Sequence, residues 1–505
     1  MNESPLRRGR IVMLVDNNVA FDSRVQKQAM SAAERGWDVT LLGRERHKSD
    51  ASEWPLGGAK ILTIFVPMPM GQRRLEYRWA PLRSPFAYRQ SKLATYRTQQ
   101  AKARKIDLAF RQTTLSPGSA ASLRRIWLVV SLFRAKVEGR WVSYRVARTH
   151  ALRRRREAMS GPLDRFTTWW WTRTMGRRSW RRLDPNAWDW ELAYGPVVDR
   201  LQPDLIHAND FRMLAIGARA KVRAAAAGRP VKLVWDAHEY LPGIKPWIAH
   251  PRWHTAQCAI ESEFAPLADA VVTVVEPLAD MLVERHALKE RPTVVLNAPL
   301  ITSATKTSAV RNIRDVCGLS PSVPLMVYSG AAAPQRGLGL MVDSLSVLDD
   351  VHVVLVVPKL EAHYIQKLVE RADEIGVRER LHVLPYVPIG DIVTFLSTAD
   401  VGVIPVHHWP NHEISLGTKF FEYSHARLPI LVSDVKAMAD EVRSSGQGEV
   451  FVAEDLEDYV RKARWLLDDR DRYVRAYDTP GLLDEWTWEA QAIKLDRVYT
   501  RLLTD

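Results

Sequence analysis

A polar turn followed by a helix start carries the residues best suited to chemistry in this 505-residue chain. The stretch WPNHEISLGTKFFEYSHARLPILVSD, residues 409–434, places Thr418 and Lys419 at a predicted helix N-terminus and Glu422 one turn later. A helix start presents free backbone N–H groups and a partial positive charge, so with Lys419 it suits a diphosphate. Glu422, on the same helix face, suits the two hydroxyls of a ribose. The alternative is an N-cap beside a surface Lys–Glu pair.

Two series of apolar runs, alternating with helical segments, predict the sheets that position this turn. Continuous apolar strands separated by helices indicate parallel sheets. The predicted fold class is α/β, with two doubly wound Rossmann-like domains that bind ligands at the carboxyl ends of their strands. The first series is expected at residues 10–16, 37–43, 60–67, 204–210, 231–239, 270–276 and 293–299, and the second at 324–330, 351–358, 380–387, 401–406, 428–434 and 449–453.

The chain length and the positions of these runs predict two domains. The first is expected at residues 1–299 and the second at 323–480, with a polar linker at 300–322 between them. Residues 481–505 have a helical pattern with no strand after it, and such a final helix is expected to cross back to the first domain. Residues 68–195 interrupt the first domain without strand alternation, and they are expected to form a helical insertion.

The insertion is basic and rich in tryptophan. Between Met70 and Glu191 there are 28 Lys and Arg residues against 8 Asp and Glu, a balance of +20 in a chain whose total is +14. The insertion also holds 9 of the 18 tryptophans. Tryptophan at headgroup depth and arginine beside lipid phosphate suit an anionic membrane surface. The alternatives are a solvated helical lid and single-stranded nucleic acid, the latter disfavoured because no RNA-binding module is visible.

The remaining composition excludes several classes of protein. Cys258 and Cys317 lie in different predicted domains without ligand-spaced partners, which disfavours a disulfide framework and structural zinc. The first apolar run ends at Asp16 and predicts a strand rather than a secretory signal. The apolar run at 126–133 is too short to span a bilayer. A cytoplasmic protein, peripheral on the inner face of the cell membrane and without a cofactor, is expected.

The segment TKFFEYSHARLPILVSD, residues 418–434, resembles the donor-site signature of GT-B glycosyltransferases of family 4. That signature is N-K-x-F-E-Y, followed by small residues, G-x-P and an apolar strand. The likeness covers nearly all of the chain outside the insertion. It implies transfer of a sugar from a UDP-, GDP- or dTDP-sugar to a hydroxyl acceptor, in the synthesis of cell-envelope polysaccharide or glycolipid. Further segments that resemble the family, in its order, are 21–43, 203–211, 234–240, 294–299 and 328–338.

The resemblance, carried over residue by residue, implies a donor site. Arg336 and Lys419 are expected to neutralise the diphosphate, and Glu422 to bind the ribose. The residues expected to assist are Gly417 and Thr418 at the helix start, Asn411, His412 and Glu413 in the loop facing the sugar, and Pro388 and Ile389 against the base. The strand predicted at 351–358 ends in VVPKLEAH rather than in the family's Gly-rich turn, and this departure makes Lys359 a candidate substitute contact to the phosphates.

The chain departs from the family pattern at several positions. Family members often carry a second glutamate eight positions before the ribose-binding one, where this chain has Ile414, with Glu413 one residue away. Gly330 is followed by Ala331 rather than Arg, and Arg427 replaces the usual glycine. These departures concern the identity of the nucleotide and sugar more than the fold.

Polar residues at the ends of first-domain strands predict the acceptor side. His238 with Glu239 is the preferred catalytic pair, and His207 is the second histidine expected to orient a sugar, although a lone histidine in a strand is more often structural. Two cations could neutralise a departing diphosphate without a metal, and the resemblance implies retention of configuration. The residues expected to line the same side are Asp22, Arg24, Asn209 and Asp210.

Two rival functions remain from the sequence. A nucleotide-sugar epimerase shares the two-domain fold but would convert donor without an acceptor. A scaffold or nucleic-acid-binding protein would keep the fold without the reaction, because a fold alone does not define a function. The joint presence of Arg336, Lys419 and Glu422 favours the transferase.

Overall fold

The computed structural model divides the chain into two compact units. The larger comprises residues 1–66, 190–245 and 260–505, and the smaller comprises residues 67–189 and 246–259. The residues that the structure describes are 8–20, 22–45, 47–48, 52–72, 86–88, 91–114, 121–158, 161–244, 251–301, 312–388 and 390–504.

The first sheet of the larger unit has eight strands in the order β3-β4-β2-β1-β5-β6-β7-β8. All its neighbours pair in parallel except β3 and β4. Parallel strands have both faces covered, so their apolar residues are buried continuously. The strands are β1 Arg10–Leu14, β2 Asp38–Glu45, β3 Glu53–Leu56, β4 Ala59–Phe65, β5 Leu205–Asn209, β6 Lys232–Ala237, β7 Ala270–Thr273 and β8 Thr293–Val294.

The second sheet has six strands, all parallel, in the order β11-β10-β9-β12-β13-β14. Every strand that the apolar runs predicted is present in the two sheets, and the α/β class with two Rossmann-like sheets is confirmed. The strands are β9 Leu325–Ser329, β10 His352–Val357, β11 Leu381–Pro385, β12 Val401–Ile404, β13 Ile430–Ser433 and β14 Gly448–Phe451.

The edge strand β3 was not predicted from the sequence. Its four residues, EWPL, alternate between exposed and half-buried side chains and include Pro55. Proline is tolerated at a sheet edge because an edge strand need not donate every backbone N–H. A short, polar edge strand therefore lacks the apolar run by which the other strands are recognised.

Helices connect the strands and cover both sheets. In the larger unit they include α1 Ser23–Glu34, which begins at the capping residue Asp22. The smaller unit and its junction contain α2 Pro69–Gln72, α3 Ser91–Thr114, α4 Ala121–Ala158, α5 Pro162–Met175, α6 Trp180–Leu183 and α7 Ala187–Leu201. The remaining helices are α8 Asp210–Ala226, α9 Pro251–Phe264, α10 Glu276–His286, α11 Ile313–Cys317, α12 Leu338–Ser344, α13 His363–Glu374, α14 Ile392–Leu396, α15 Pro410–Ile414, α16 Thr418–His425, α17 Lys436–Ser445, α18 Leu456–Asp468, α19 Arg470–Arg475 and α20 Trp488–Thr504.

The predicted linker ends earlier than its polar composition suggested. Residues 302–311 lie outside the described residues, but α11 already belongs to the second core, because Ile313 is fully buried there. Asn312 caps this helix by accepting a hydrogen bond from the Asp315 N–H. A single anchoring isoleucine in a polar segment gives too weak a periodicity to reveal such a short helix.

The terminal helix α20 packs into the core of the first sheet. Trp488, Leu495 and Tyr499 are buried there with Ile11 and Met13 of β1. The Trp488 N–H also donates to the Pro299 carbonyl at 2.8 Å. The chain thus returns to the first sheet after completing the second.

The smaller unit is built from helices in all of its described regular structure. Helices α3 and α4 pair as a hairpin, with an ion pair of 2.6 Å between Arg104 and Glu138. Trp141 and Tyr144, in the turn of α4 that follows Glu138, stack with ring centroids 5.7 Å apart. None of the helices in the described chain combines the length and apolar character needed to cross a membrane.

Candidate active site

The turn after β9 positions Arg336 at the carboxyl edge of the second sheet. A short 3₁₀ turn, Pro334–Arg336, ends at Gly337, whose φ is +71°. A Cβ at Gly337 would lie 1.8 Å from the Pro405 carbonyl oxygen, so only glycine fits there. This close approach of two strand ends fixes the turn and, with it, the position of the Arg336 side chain.

Helix α16 brings Lys419 to the same edge. Gly417 is its extended N-cap and provides no side-chain cap, and among the described residues the N–H groups of Thr418 and Lys419 have no hydrogen-bond acceptor. The Lys419 ammonium lies 5.0 Å from the centroid of the Tyr328 ring. A Cβ at Gly330 would come within 3.0 Å of the Lys419 ammonium, so this glycine makes room for the lysine.

The two cations of the site lie close to each other. Burial, followed by the charge of Arg336, lowers the pKa of Lys419 to about 7, while Glu422 opposes this shift. Within the described chain, neither Arg336 nor Lys419 forms an ion pair with a carboxylate. Such charges are costly to bury without a partner. The arrangement therefore fits a bound anion between them.

Glu422 is the buried acid of the site. Its side chain is 6% exposed and makes no hydrogen bond within the described chain. Burial raises the pKa of Glu422, and the charges of Lys419 and Lys27 oppose that rise. An unsatisfied buried carboxylate is costly, so this one is available for the hydroxyl donors of a ligand.

Tyr386 is a neighbour of the site that the sequence did not single out. It is partly exposed just after β11, and burial followed by the charge of Glu422 and the ring of Tyr328 raises its pKa. Pro388 is exposed two residues later, whereas Ile389 lies outside the described residues. The sequence signal that could have identified Tyr386 is its place in PYVPIGD, where it is an aromatic residue beside the predicted base-stacking turn.

The segment expected to be a sugar-facing loop is the short helix α15. The Asn411 amide accepts from the Tyr240 N–H at 2.9 Å and donates to the Tyr240 carbonyl at 3.2 Å. Glu413 accepts from the Lys436 N–H at 2.8 Å and contacts His408 with its other oxygen. The expectation that Asn411 and Glu413 bind donor is therefore corrected, because both side chains are already engaged by protein groups.

His412 of α15 lies close enough to the two cations for their charges to act on it. Its Nδ1 donates to the His407 carbonyl at 2.7 Å. Burial lowers its pKa, and the charges of Arg336 and Lys419 lower it further. The prediction that His412 faces the sugar remains compatible with this position.

The structure corrects the catalytic assignment of His207. This histidine is fully buried in β5, its Nδ1 lies 2.7 Å from the Tyr499 hydroxyl, and its Nε2 lies 3.5 Å from the Asp236 carboxylate. Burial lowers its pKa. A side chain enclosed in this way packs the first sheet against α20 and does not contact substrate.

Three of the residues expected on the acceptor side are structural. Arg24 is buried and donates twice to Asp236, at 3.0 Å each, and once to the Val295 carbonyl at 2.8 Å. Asp22 caps α1 and accepts from the Asn17 amide at 2.8 Å. Asn209 is buried and donates to the Leu14 carbonyl at 3.1 Å. These contacts correct the expectation that the three side chains line the acceptor side.

The acceptor-side residues that remain available are His238, Glu239 and Asp210. Burial lowers the pKa of His238, but the adjacent Asp236, 3.2 Å away, more than compensates and the pKa rises to about 9. Burial raises the pKa of Asp210 to about 7. Desolvation also raises the pKa of Glu239, against the charges of His238 and Arg336. Glu239 thus lies between the histidine and the donor-side arginine.

Lys359 follows β10 and is exposed. The structure gives it no contact to the two donor-side cations, so its role beside the phosphates stays a prediction. Among the described residues, no three His, Cys, Asp or Glu side chains gather in a way that would hold a metal ion.

Comparisons with known proteins place these features in a family. The family model "Glycosyl transferases group 1" matches residues 310–479, and the model "Glycosyltransferase Family 4" matches residues 148–298. The D-inositol 3-phosphate glycosyltransferase of Nocardia farcinica is 24% identical over 306 residues, which cover 50% of this chain and 66% of the relative. The same enzyme of Thermobispora bispora is 23% identical over 54% of this chain and 71% of the relative. The match thus spans about two thirds of these relatives.

Solved structures support the same fold. Sucrose-phosphate synthase from Thermosynechococcus elongatus superposes with a TM-score of 0.61 at 13% identity, covering 98% of this chain and 99% of that chain. HepE from Anabaena, solved in complex with UDP-glucose, gives a TM-score of 0.57 at 12% identity, covering 98% of this chain and 100% of that chain. At such identities the likeness establishes the fold. With both family models and the two parallel sheets, the chain belongs to the GT-B glycosyltransferases of the family 4 type.

Proposed function

We propose that this protein transfers a sugar from a nucleotide-sugar donor to a hydroxyl acceptor. The observation that carries the proposal is the pair Arg336 and Lys419, two neighbouring cations without an anionic partner in the described chain. A diphosphate supplies the missing negative charge, and the free N–H groups at the start of α16 add hydrogen bonds to it. Glu422 is then placed to accept from ribose hydroxyls.

The donor is proposed to be a nucleotide sugar bound along the second sheet. Tyr386 and Pro388 supply a stacking surface for the base beside Glu422. HepE was solved with UDP-glucose and with UDP and glucose, which supports testing uridine nucleotides first. GDP- and dTDP-sugars are the other donors to test.

The proposed reaction breaks the bond between the anomeric carbon and the diphosphate oxygen and forms one to the acceptor oxygen. Arg336 and Lys419 neutralise the charge that develops on the leaving diphosphate, so no metal is assigned to this step. The acceptor proton passes to the departing phosphate oxygen. Retention by front-face attack is what the family resemblance implies, and it is adopted here as part of the proposal.

His238 is proposed to orient a sugar hydroxyl close to the anomeric carbon of the donor. It follows β6, with Asp236 behind it holding the ring charged and Glu239 beside it. A charged imidazole donates from both nitrogens, so one N–H can point to Asp236 and the other to a sugar oxygen. Asp210, whose pKa is raised to about 7, completes the polar surface next to it.

The proposed acceptor belongs to cell-envelope synthesis, and the smaller unit is proposed to bind a membrane surface from the cytoplasmic side. Trp127 and Phe133 on α4 are each 67% exposed. Trp169 and Trp170 on α5 are exposed as well, whereas Trp180 is fully buried. Exposed aromatic and basic side chains on one helical unit suit headgroup depth in an anionic bilayer, where a lipid-linked acceptor is presented.

The reaction is tested by incubating the protein with UDP-, GDP- and dTDP-sugars, with and without candidate lipid-linked acceptors. We expect release of nucleoside diphosphate only when acceptor is present, together with a product of retained anomeric configuration. Conversion of donor to its epimer without acceptor would replace the proposal by an epimerase. An inverted product would overturn the retaining mechanism alone.

The membrane proposal is tested by co-sedimentation with vesicles of phosphatidylglycerol and, as a control, phosphatidylcholine. We expect binding to the anionic vesicles that weakens with salt, and weaker binding for the pair Trp127→Ser and Phe133→Ser. Substitution of the exposed Trp465, which lies in the larger unit, is the matched control. Equal sedimentation with and without vesicles would contradict the proposal.

A further inference from the structure

A buried lysine of the first domain approaches the donor side of the second. Lys27 on α1 is 1% exposed. Its ammonium donates to the Asn297 side-chain oxygen at 3.0 Å, contacts the Ala298 carbonyl, and lies 5.0 Å from the centroid of the Trp488 ring. Lysine is almost never buried unless its charge has partners. The partners here belong to the segment after β8 and to α20.

Asn297 passes this contact on to the donor helix. While its side-chain oxygen accepts from Lys27, its amide donates to the Thr418 hydroxyl at 2.7 Å. Thr418 is the first residue of α16, next to Lys419. A side chain of the first domain therefore fixes the start of the helix that presents Lys419, and the Thr418 hydroxyl hydrogen stays available to a phosphate.

Lys27 also acts on Glu422 through its charge. Glu422 is the first among the acids that stabilise the Lys27 ammonium, ahead of Asp22 on α1 and Glu489 on α20, while Arg24 opposes them. Burial of Lys27 lowers its own pKa to about 7. Burial raises the pKa of Glu422, and Lys419 and Lys27 are the two cations whose charges oppose that rise.

We propose that Lys27 and Asn297 are positioning residues of the donor site. Asn297 holds Thr418 at the start of α16, and Lys27 holds Asn297 and places a positive charge near Glu422, the residue assigned to the ribose. The inference rests on the proposed function, since it assigns these residues to the same donor. It means that the nucleotide site of the second domain is completed by α1 of the first. Neither residue contacts the reacting atoms, so their effect is on donor affinity.

The role of Asn297 is tested by a double-mutant cycle with Thr418, using calorimetric titration with UDP, GDP and dTDP. We expect Asn297→Ala and Thr418→Val each to weaken nucleotide binding by about three- to tenfold, and the double variant to be no weaker than the worse single one, because one contact is lost in all three. Thr418→Ser keeps the hydroxyl and should restore most of the affinity. Additive losses would refute the link.

The role of Lys27 is tested with Lys27→Met, again by calorimetry, across pH 5 to 8. In this variant Glu422 keeps only Lys419 as a cationic neighbour, with Tyr386 beside it, so the Glu422 carboxyl is protonated at a higher pH. We therefore expect nucleotide binding to be about tenfold weaker, and its decrease at low pH to begin at a higher pH than in the wild type. Lys221→Met, which removes a partly buried lysine paired with Asp269 at 2.7 Å elsewhere in the first domain, is the matched control.

Three outcomes separate this inference from the proposed function. Absence of nucleotide binding by the wild type would refute both. Binding by the wild type with unchanged affinity and pH profile in folded Lys27→Met and Asn297→Ala proteins would refute only the positioning role. If Lys27→Met fails to fold, the Asn297–Thr418 cycle decides.

Discussion

At the scale of single residues, the site depends on charges that the protein itself leaves uncompensated. Neither Arg336 nor Lys419 forms an ion pair with a carboxylate in the described chain, and burial, followed by the charge of Arg336, lowers the pKa of Lys419 to about 7. A bound diphosphate would reverse that shift, because a nearby anion favours the charged ammonium. Ligand binding and lysine protonation are therefore expected to be coupled, with proton uptake on nucleotide binding near pH 7.

Gly337 is predicted to be essential for the turn that carries Arg336. In Gly337→Ala, a φ of +71° and a Cβ only 1.8 Å from the Pro405 oxygen impose strain. We expect a loss of at least ~2 kcal/mol in the free energy of unfolding, measured by urea denaturation. Gly339→Ala is the control, since a Cβ there meets no atom within 4 Å. Equal stability of the two variants would contradict this interpretation of the turn.

His238 is predicted to make stability depend on pH through its pair with Asp236. Its pKa in the folded protein is raised to about 9 from an ordinary value of 6.5, so its contribution is fully present below pH 6.5 and is lost as pH rises through 9. The free energy of unfolding of the wild type, relative to His238→Gln, should decline over that window by something on the order of 3 kcal/mol. Urea denaturation at pH 6, 7.5 and 9 measures it, and a difference independent of pH would contradict the assignment.

How much of the site was predictable differs from one side chain to the next. The helix start with Thr418, Lys419 and Glu422 was predictable, because it follows from a local pattern. The burial of His207 was not, because its partner Tyr499 lies 292 residues away in sequence. The same holds for Asn411, whose amide is taken by the backbone of Tyr240.

At the scale of secondary-structure elements, the sheets were predictable except for the edge strand β3. Buried parallel strands have continuous apolar runs, and each of those runs is a strand in the structure. The edge strand β3 and the short helices α11 and α15 lack such a signal, since β3 and α15 bury none of their residues and α11 buries only two. The unpredicted helix α15 changes the expected site, because it directs the Asn411 and Glu413 side chains toward protein partners instead of the donor.

At the scale of the whole molecule, polar links between described residues of the larger unit join its two sheets. Asn411 bonds twice to the Tyr240 backbone, and Gly243 packs so closely to Pro410 that a Cβ would lie 2.7 Å from its side chain. Asn297 makes a second link, to Thr418. These contacts hold the loop after β6, which carries His238 and Glu239, against the donor side.

Asn411 is predicted to act on catalysis rather than on donor binding. Asn411→Ala removes both bonds to Tyr240, so we expect kcat/KM for the transfer reaction to fall about tenfold. The nucleotide Kd should stay within about twofold, because Asn411 does not contact the donor cations. Asn411→Asp keeps the acceptor for the Tyr240 N–H and should fall between wild type and alanine. A loss confined to nucleotide affinity would contradict this role.

The most direct test of the central claim is calorimetric titration of UDP, GDP and dTDP into the wild type, Lys419→Ala and Glu422→Ala. We predict that the wild type binds one of these nucleotides. Lys419→Ala should bind it at least about tenfold more weakly, because a charge-assisted phosphate contact is lost, and Glu422→Ala should lose the ribose contact with a similar effect. Circular dichroism verifies that each variant is folded. Failure of the folded wild type to bind any of the three, or unchanged affinity in both variants, would contradict the donor site at Arg336, Lys419 and Glu422.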